Sequence, residues 1–198
     1  LSSEKAQPLL PPLFHFVDSL LFETPSEMVA AEGILAEIIP SVSQKAGWYA
    51  FEYHTPEPIC ELMVGLADPQ PGDRIYDPCF GVGGLLVESA RRLRQKAKQL
   101  PPRTWIDLGQ NTFYGVELNR RAHLIGLTRL LLLGFHQPGL QVGDTLLREP
   151  YGSREKFSCV LAVPPWGGRR TKDYMPDHFP VRSRDALSLF VQHIAMSL

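Results

Sequence analysis

A chain of 198 residues, 44% hydrophobic and 21% charged, has the size and composition of an ordinary globular domain around one core. Its formal net charge of −1 excludes a general affinity for polyanions, so any nucleic-acid surface must be a local patch. Cys60, Cys79 and Cys159 are too few and too far apart for a disulfide framework or a Cys-x-x-Cys zinc site, which points to a reducing compartment. The longest leucine run, Leu130 to Leu133, is far too short to span a bilayer, and no cleavable signal pattern is present, so a cytoplasmic protein without membrane contact is expected.

Residues 1–46 read as a helical segment. Prolines come first, then Leu13 to Phe22 and Ser26 to Ile39 show helical periodicity, the second pattern expected to end at Pro40. Residues 47–198 read as a separate α/β domain. Arg74-Ile75-Tyr76 is a β-prone run after the turn signal Pro69-Gln70-Pro71-Gly72-Asp73, which puts Asp77 at a strand's carboxyl end, where open α/β sheets bind ligands. A turn, Pro78-Cys79-Phe80-Gly81-Val82-Gly83-Gly84, leads into a helix marked by Leu86, Ala90, Leu93, Ala97 and Leu100 and stopped by Pro101-Pro102. Gly81 and Gly83 allow a tight bend and close approach of a ligand to backbone amides. A dinucleotide fingerprint would need a third glycine where Leu86 stands. Cys79 is expected to be a small buried thiol.

Two more units repeat the pattern. Thr112 to Glu117 is a strand ending in a carboxylate able to accept from ribose hydroxyls, and Asn119 caps a helix running to Gly134. Leu140-Gln141-Val142 is a third strand, followed by Gly143-Asp144, whose carboxylate could accept from an adenine amino group. Three successive strands, each ending in Asp or Glu, predict an adenosyl pocket. Phe157 to Ala162 is a fourth strand, leading into Val163-Pro164-Pro165-Trp166, and a helical pattern resumes from Ser183. Of the two basic clusters, Arg91 to Lys98 is expected to be a solvated helix face. Arg169-Arg170-Thr171-Lys172, next to the Pro-Pro-Trp loop, is the candidate for phosphate contact.

Taken as a set, these segments resemble the N6-adenine DNA methyltransferases, and within them the modification subunit of type I restriction systems. Tyr53-His54-Thr55-Pro56 is similar to the family's Tyr-Thr-Pro motif, and Asp77 to Gly84 to its Asp-Pro-Ala-Cys-Gly-Thr-Gly-Gly. Gly143-Asp144-Thr145-Leu146 and Val163 to Trp166, the latter similar to Asn-Pro-Pro-Phe/Tyr, complete the series in the family's order. The resemblance implies a three-layer, Rossmann-like, S-adenosylmethionine-dependent methyltransferase fold, whose sheet would continue beyond the strands in hand. It implies that Thr55 meets the methionine end of S-adenosylmethionine, that Asp77, Gly81 and Gly83 line its amino-acid and sulfonium portion, that Glu117 holds the ribose and Asp144 the adenine. It further implies a catalytic loop of Val163, Pro164, Pro165 and Trp166, with Trp166 stacking on an adenine swung out of double-stranded DNA. The implied partners are a specificity subunit and a second modification subunit.

In the glycine turn Phe80 stands for the family's cysteine, which is expected to crowd the turn without closing it, and Val82 stands for its threonine, a milder loss of one hydroxyl; the departure that matters most lies in the catalytic loop. Val163 stands where Asn or Asp would accept a hydrogen bond from the adenine amino group, whose lone pair is delocalised until acceptors hold both N–H bonds. Losing one preorganised partner costs ~2.7–4 kcal/mol, roughly 100- to 1000-fold in rate, so a weak or dead catalyst is expected. Two alternatives follow: a catalytically defective cofactor- or DNA-binding scaffold, and a methyltransferase acting on RNA or protein glutamine. The Tyr53 to Pro56 motif favours DNA over the latter.

Overall fold

The computed structural model describes residues 24–45, 54–98, 110–147, 156–166 and 177–198. In chain order the elements are α1 (Pro25–Lys45), α2 (Glu57–Ala67), β1 (Ile75–Asp77), α3 (Gly84–Ala97), β2 (Gln110–Glu117), α4 (Arg120–Leu132), β3 (Gln137–Val142), β4 (Cys159–Val160) and α5 (Ala186–Ser197). The strands form one parallel sheet in the order β3-β2-β1-β4. This is the expected α/β architecture with its four strands in the expected places.

Alternation along β1 assigns the two faces. Ile75 points toward a core built from Cys60 and Val64 of α2, Leu86, Ala90 and Leu93 of α3, and Leu130 of α4. Tyr76 points the other way, into a cluster with Tyr114, Val116 and Phe157. Both Ile75 and Tyr76 are fully buried, as a central strand covered on both faces requires. Asn119 caps α4 as expected, accepting from the amides of Arg121 and Ala122, and Gly134 follows that helix at φ +89°. β4 is shorter than the predicted 157–162, although Leu161 still donates its amide to Tyr76 O at 2.9 Å, so the chain continues alongside β1. Among the described residues no helix is long and apolar enough to cross a membrane.

Pro40 does not end α1, which continues through it to Lys45. An internal proline costs roughly 3 kcal/mol in an isolated helix. Here α1 is held by tertiary contacts: Ile39 is buried against Val82 and Ala122, and Glu32 is buried in an ion pair. The Leu13 to Phe22 pattern lies outside the described residues.

α5 covers the Tyr76 face. Its His193 Nε2 and the Tyr76 hydroxyl are 2.8 Å apart, both buried, and the amide of Phe157 donates to Ser197 O at 2.9 Å. Burial, with a smaller contribution from His178, depresses His193 to about 4 from an ordinary 6.5. The unfolded chain therefore takes up a proton below pH 6.5 that the folded chain refuses until about pH 4, and the folded state loses stability as pH falls across that window. The integrated effect is about 3 kcal/mol. Urea unfolding of the native chain and of His193→Gln should show their difference in stability shrinking by that amount between pH 7 and 4. A difference that stays flat would refute the assignment.

Candidate functional site

The glycine turn between β1 and α3 is shaped by its own backbone and by β2. Gly81 and Gly83 sit at φ +56° and +83°, a region open to glycine without strain. A Cβ on Gly83 would lie 3.1 Å from Gly126 Cα, so glycine is also needed for the close approach of α4. The turn is stitched to β2 by Phe80 N donating to Val116 O at 3.3 Å and Gly81 N donating to Glu117 Oε2 at 2.9 Å. Glu117 Oε1 accepts from Asn119 N at 2.7 Å. The carboxylate expected to face a ribose is thus locked at the mouth of the turn, 5% exposed.

Asp77 is buried beside it. Its Oδ1 accepts from Cys79 N at 3.0 Å, and the Cys79 thiol donates to the same carboxylate. Burial first, with the nearby Glu117 charge adding, pushes Asp77 up to about 7. Because that is above the unfolded value, its contribution to stability is full below pH 3.8 and is lost as pH rises to about 7. Cys79 is half-buried where a buried thiol was expected, and burial together with the Asp77 and Glu117 charges holds its thiol well above the ordinary range.

Asp144 follows β3 at the same end of the sheet. Gly143 N donates to Glu117 O at 3.0 Å, the Asp144 carboxylate accepts from Leu146 N at 3.0 Å, and the Thr145 hydroxyl donates to Pro78 O at 2.5 Å. The Val163 loop arrives from the other side, the Val163 amide donating to the Cys79 sulfur. The Val163 side chain packs against the α2–α4 core, whereas Trp166 is 83% exposed and no part of that core. Thr55 lies at the start of α3, where a Cβ on Gly84 would be 3.7 Å from Thr55 O and 3.9 Å from Thr55 Cβ. Thr55, Asp77, Gly81, Gly83, Glu117, Asp144 and the Val163 backbone are therefore brought to the carboxyl edge of the sheet and the amino end of α3, while Pro164, Pro165 and Trp166 are shown only to follow Val163 in the chain.

Most of the basic cluster on α3 is already engaged with acidic or carbonyl partners. Arg91 pairs with Glu32 and Glu57, Arg92 with Glu88, and Lys96 with Asp68, while Arg94 donates to Leu133 O. The Arg169 to Lys172 cluster lies outside the described residues. Phe80, standing where the family has cysteine, does not crowd the ligand side. Its ring fills a gap left by Gly115 and Gly126, where added Cβ atoms would lie 2.7 and 2.8 Å from it.

The sequence reading missed Glu32 and Arg129, which line or brace the site from behind. The signal was there in periodicity: Glu32 shares a helical face with Val29, Ala36 and Ile39, and Arg129 falls on the stripe of Ala122 and Ile125. A charge on each of two apolar stripes, of opposite sign, is the pattern of a buried pair.

Fold and edge geometry define a Rossmann-like methyltransferase domain. Residues 31–198 match the family model of the N-6 DNA methylases, and the chain belongs to that family. It is 32% identical over 155 residues to the type I restriction enzyme EcoEI methylase subunit of Escherichia coli, covering 76% of this chain and 31% of that one. The EcoKI methylase subunit of Escherichia coli K12 is 26% identical over 180 residues, 84% of this chain and 32% of its own. A solved structure described under complex assembly and conformational transition of the type I R-M system superposes with a TM-score of 0.83 at 28% identity, over 93% of this chain and 37% of that chain. The chain thus spans about a third of the length of these relatives. These likenesses support the DNA methylase reading and lend nothing to the scaffold, RNA or protein-glutamine alternatives.

Proposed function

We propose that this domain binds S-adenosylmethionine across the carboxyl ends of β1 to β3 and serves N6-methylation of adenine in double-stranded DNA, as part of a type I modification subunit working with a second such subunit and a specificity subunit. The observation that carries it is the bond from Gly81 N to Glu117, which joins the glycine turn and the second acidic strand end into one mouth. The donors and acceptors fit the cofactor. Asp77 would face its cationic amine, Glu117 keeps lone pairs for two ribose hydroxyls, Asp144 stands at the next strand end for the adenine, and Thr55 closes the methionine end.

Bound there, the cofactor supplies an electrophilic methyl group on a sulfonium. The chain's part is to present the adenine. Trp166, exposed three residues beyond Val163, would stack on an extruded base, and Pro164 O would accept one N–H of its amino group. Val163 offers the second N–H no side-chain acceptor, which slows the step without changing its course. Calorimetry with S-adenosylmethionine on the native chain and on Glu117→Ala tests the binding. The full-length chain with its partner subunits and methyl-labelled cofactor tests the transfer to DNA. Absence of cofactor binding by the native chain would overturn the proposal.

Asp77 gives the binding a pH signature. Empty, it keeps its proton up to about pH 7, and a cation docking beside it favours the carboxylate. Cofactor uptake should therefore release a proton below pH 7, and affinity should climb with pH and level off above it. Titrations in buffers of different ionisation enthalpy read the proton directly. Native protein at pH 6.5 should release it and Asp77→Asn should not; equal release from both would show that another group titrates.

A further inference from the structure

The cofactor mouth is braced from behind by charges that none of its predicted contacts use. Glu32 of α1 is 1% exposed and its two carboxylate oxygens go to two arginines on two different helices. Oε1 takes Arg129 of α4, from Nε at 2.9 Å and Nη2 at 2.8 Å. Oε2 takes Arg91 of α3, from Nη2 at 2.9 Å. Each arginine then reaches a different part of the mouth. Arg129 Nη1 donates to Val82 O, between the two left-handed glycines of the turn, at 3.2 Å. Arg91 Nη1 holds Glu57 Oε1 at 2.7 Å, two residues beyond Thr55. Ile39, two turns along α1 from Glu32, packs on the Val82 side chain. A cavity of about 200 Å³ separates α1 from the start of α3 and is lined by Thr55, Gly84, Arg91 and Arg129.

We infer that Glu32 is a positioning residue for the cofactor's methionine end, acting through Arg129 on the Val82 carbonyl and through Arg91 on the segment that carries Thr55. The inference rests on the cofactor-binding reading above. The physical reason is that both arginines are long and flexible, and only a buried carboxylate that takes both fixes where their remaining donors point. Neither the turn nor the Thr55 segment has another link to α1 of comparable strength among the described contacts. An α1 that shifts, or a carboxylate that is removed, releases both walls of the methionine end together. Glu117 and Asp144 also have anchors of their own, Glu117 on the Asn119 amide and Asp144 on the Leu146 amide, so the ribose and adenine contacts depend less on this network.

The test measures dissociation constants for S-adenosylmethionine and for 5′-methylthioadenosine, which lacks the amino-acid end, in the full-length chain, together with thermal unfolding. Glu32→Gln removes the charge. Because that variant leaves a buried guanidinium uncompensated, the double variant Glu32→Leu/Arg129→Met is measured beside it; replacing both members of a buried pair by apolar groups commonly preserves the fold. The folded double variant should bind S-adenosylmethionine about tenfold or more weakly while its affinity for 5′-methylthioadenosine falls far less, since Val82 lies between the two glycines that the proposed reading assigns to the methionine end. Unchanged S-adenosylmethionine affinity, or an equal loss for both ligands, would overturn the positioning role. Failure of the native chain to bind either ligand would instead overturn the cofactor reading, and this inference with it.

Discussion

Val163→Asn should raise the rate of methyl transfer to adenine in DNA by roughly 100- to 1000-fold, the value of ~2.7–4 kcal/mol that one preorganised hydrogen-bond partner contributes at a transition state. On the proposed reading, valine would leave one N–H of the amino group without a side-chain acceptor, so the nitrogen would keep more of its lone pair in the ring. An asparagine at the same place can accept that N–H. The exchange has a cost, because the Val163 side chain packs against the α2–α4 core, and an amide placed there without a partner costs ~1–3 kcal/mol of stability. The comparison therefore needs matched temperatures below both unfolding midpoints. The assay is labelled-methyl incorporation into adenine by the full-length chain with its partner subunits. A native rate equal to that of the asparagine form would show that the second acceptor comes from elsewhere.

Glu117→Ala should weaken S-adenosylmethionine binding by roughly 100- to 10,000-fold. Two hydrogen bonds from ribose hydroxyls to a carboxylate, at ~1.5–3 kcal/mol each, give that range. The same substitution strips the Gly81 and Asn119 amides of their acceptor, so part of the loss will appear as a lower unfolding midpoint. Glu117→Gln separates the two effects. It keeps one acceptor oxygen, and is expected to fall between native and alanine in both affinity and midpoint. Calorimetry and thermal unfolding on the three proteins read both. Affinity that follows the midpoint alone would mean that Glu117 shapes the turn without touching the ligand.

The elements legible in the sequence are those whose signals are local. The β-prone run before Asp77, the helical spacing after Gly84 and the Asn119 cap each depend on a few neighbouring residues, and each element stands where it was predicted. The acids at strand ends follow from the same logic: once three parallel strands are in register, their carboxyl ends share an edge, so Asp77, Glu117 and Asp144 meet without further information. The family likeness was legible from about residue 47 onward, where the motifs keep their order, whereas the family model also takes in residues from 31, which read as part of a separate helical segment.

What the chain alone determined is thus the parallel sheet, the glycine turn and the acidic edge, since backbone propensity and side-chain alternation act over one or two turns of chain. Tertiary structure alone decided the rest. α1 runs through Pro40 because its buried contacts outweigh a local penalty. Phe80 turns into the core because Gly115 and Gly126, on two other elements, leave room for its ring. Arg91 and Arg92 of α3, their side chains 29% and 33% exposed, keep the expected solvated face while pairing with Glu32, Glu57 and Glu88, partners that periodicity does not reveal. Glu32 and Arg129, ninety-seven residues apart, become one charged brace only when folding buries both. Such a pair attracts strongly because water is excluded around it, at a desolvation cost that its hydrogen bonds must offset, and that exclusion is a property of the assembled fold that no local stretch of sequence contains.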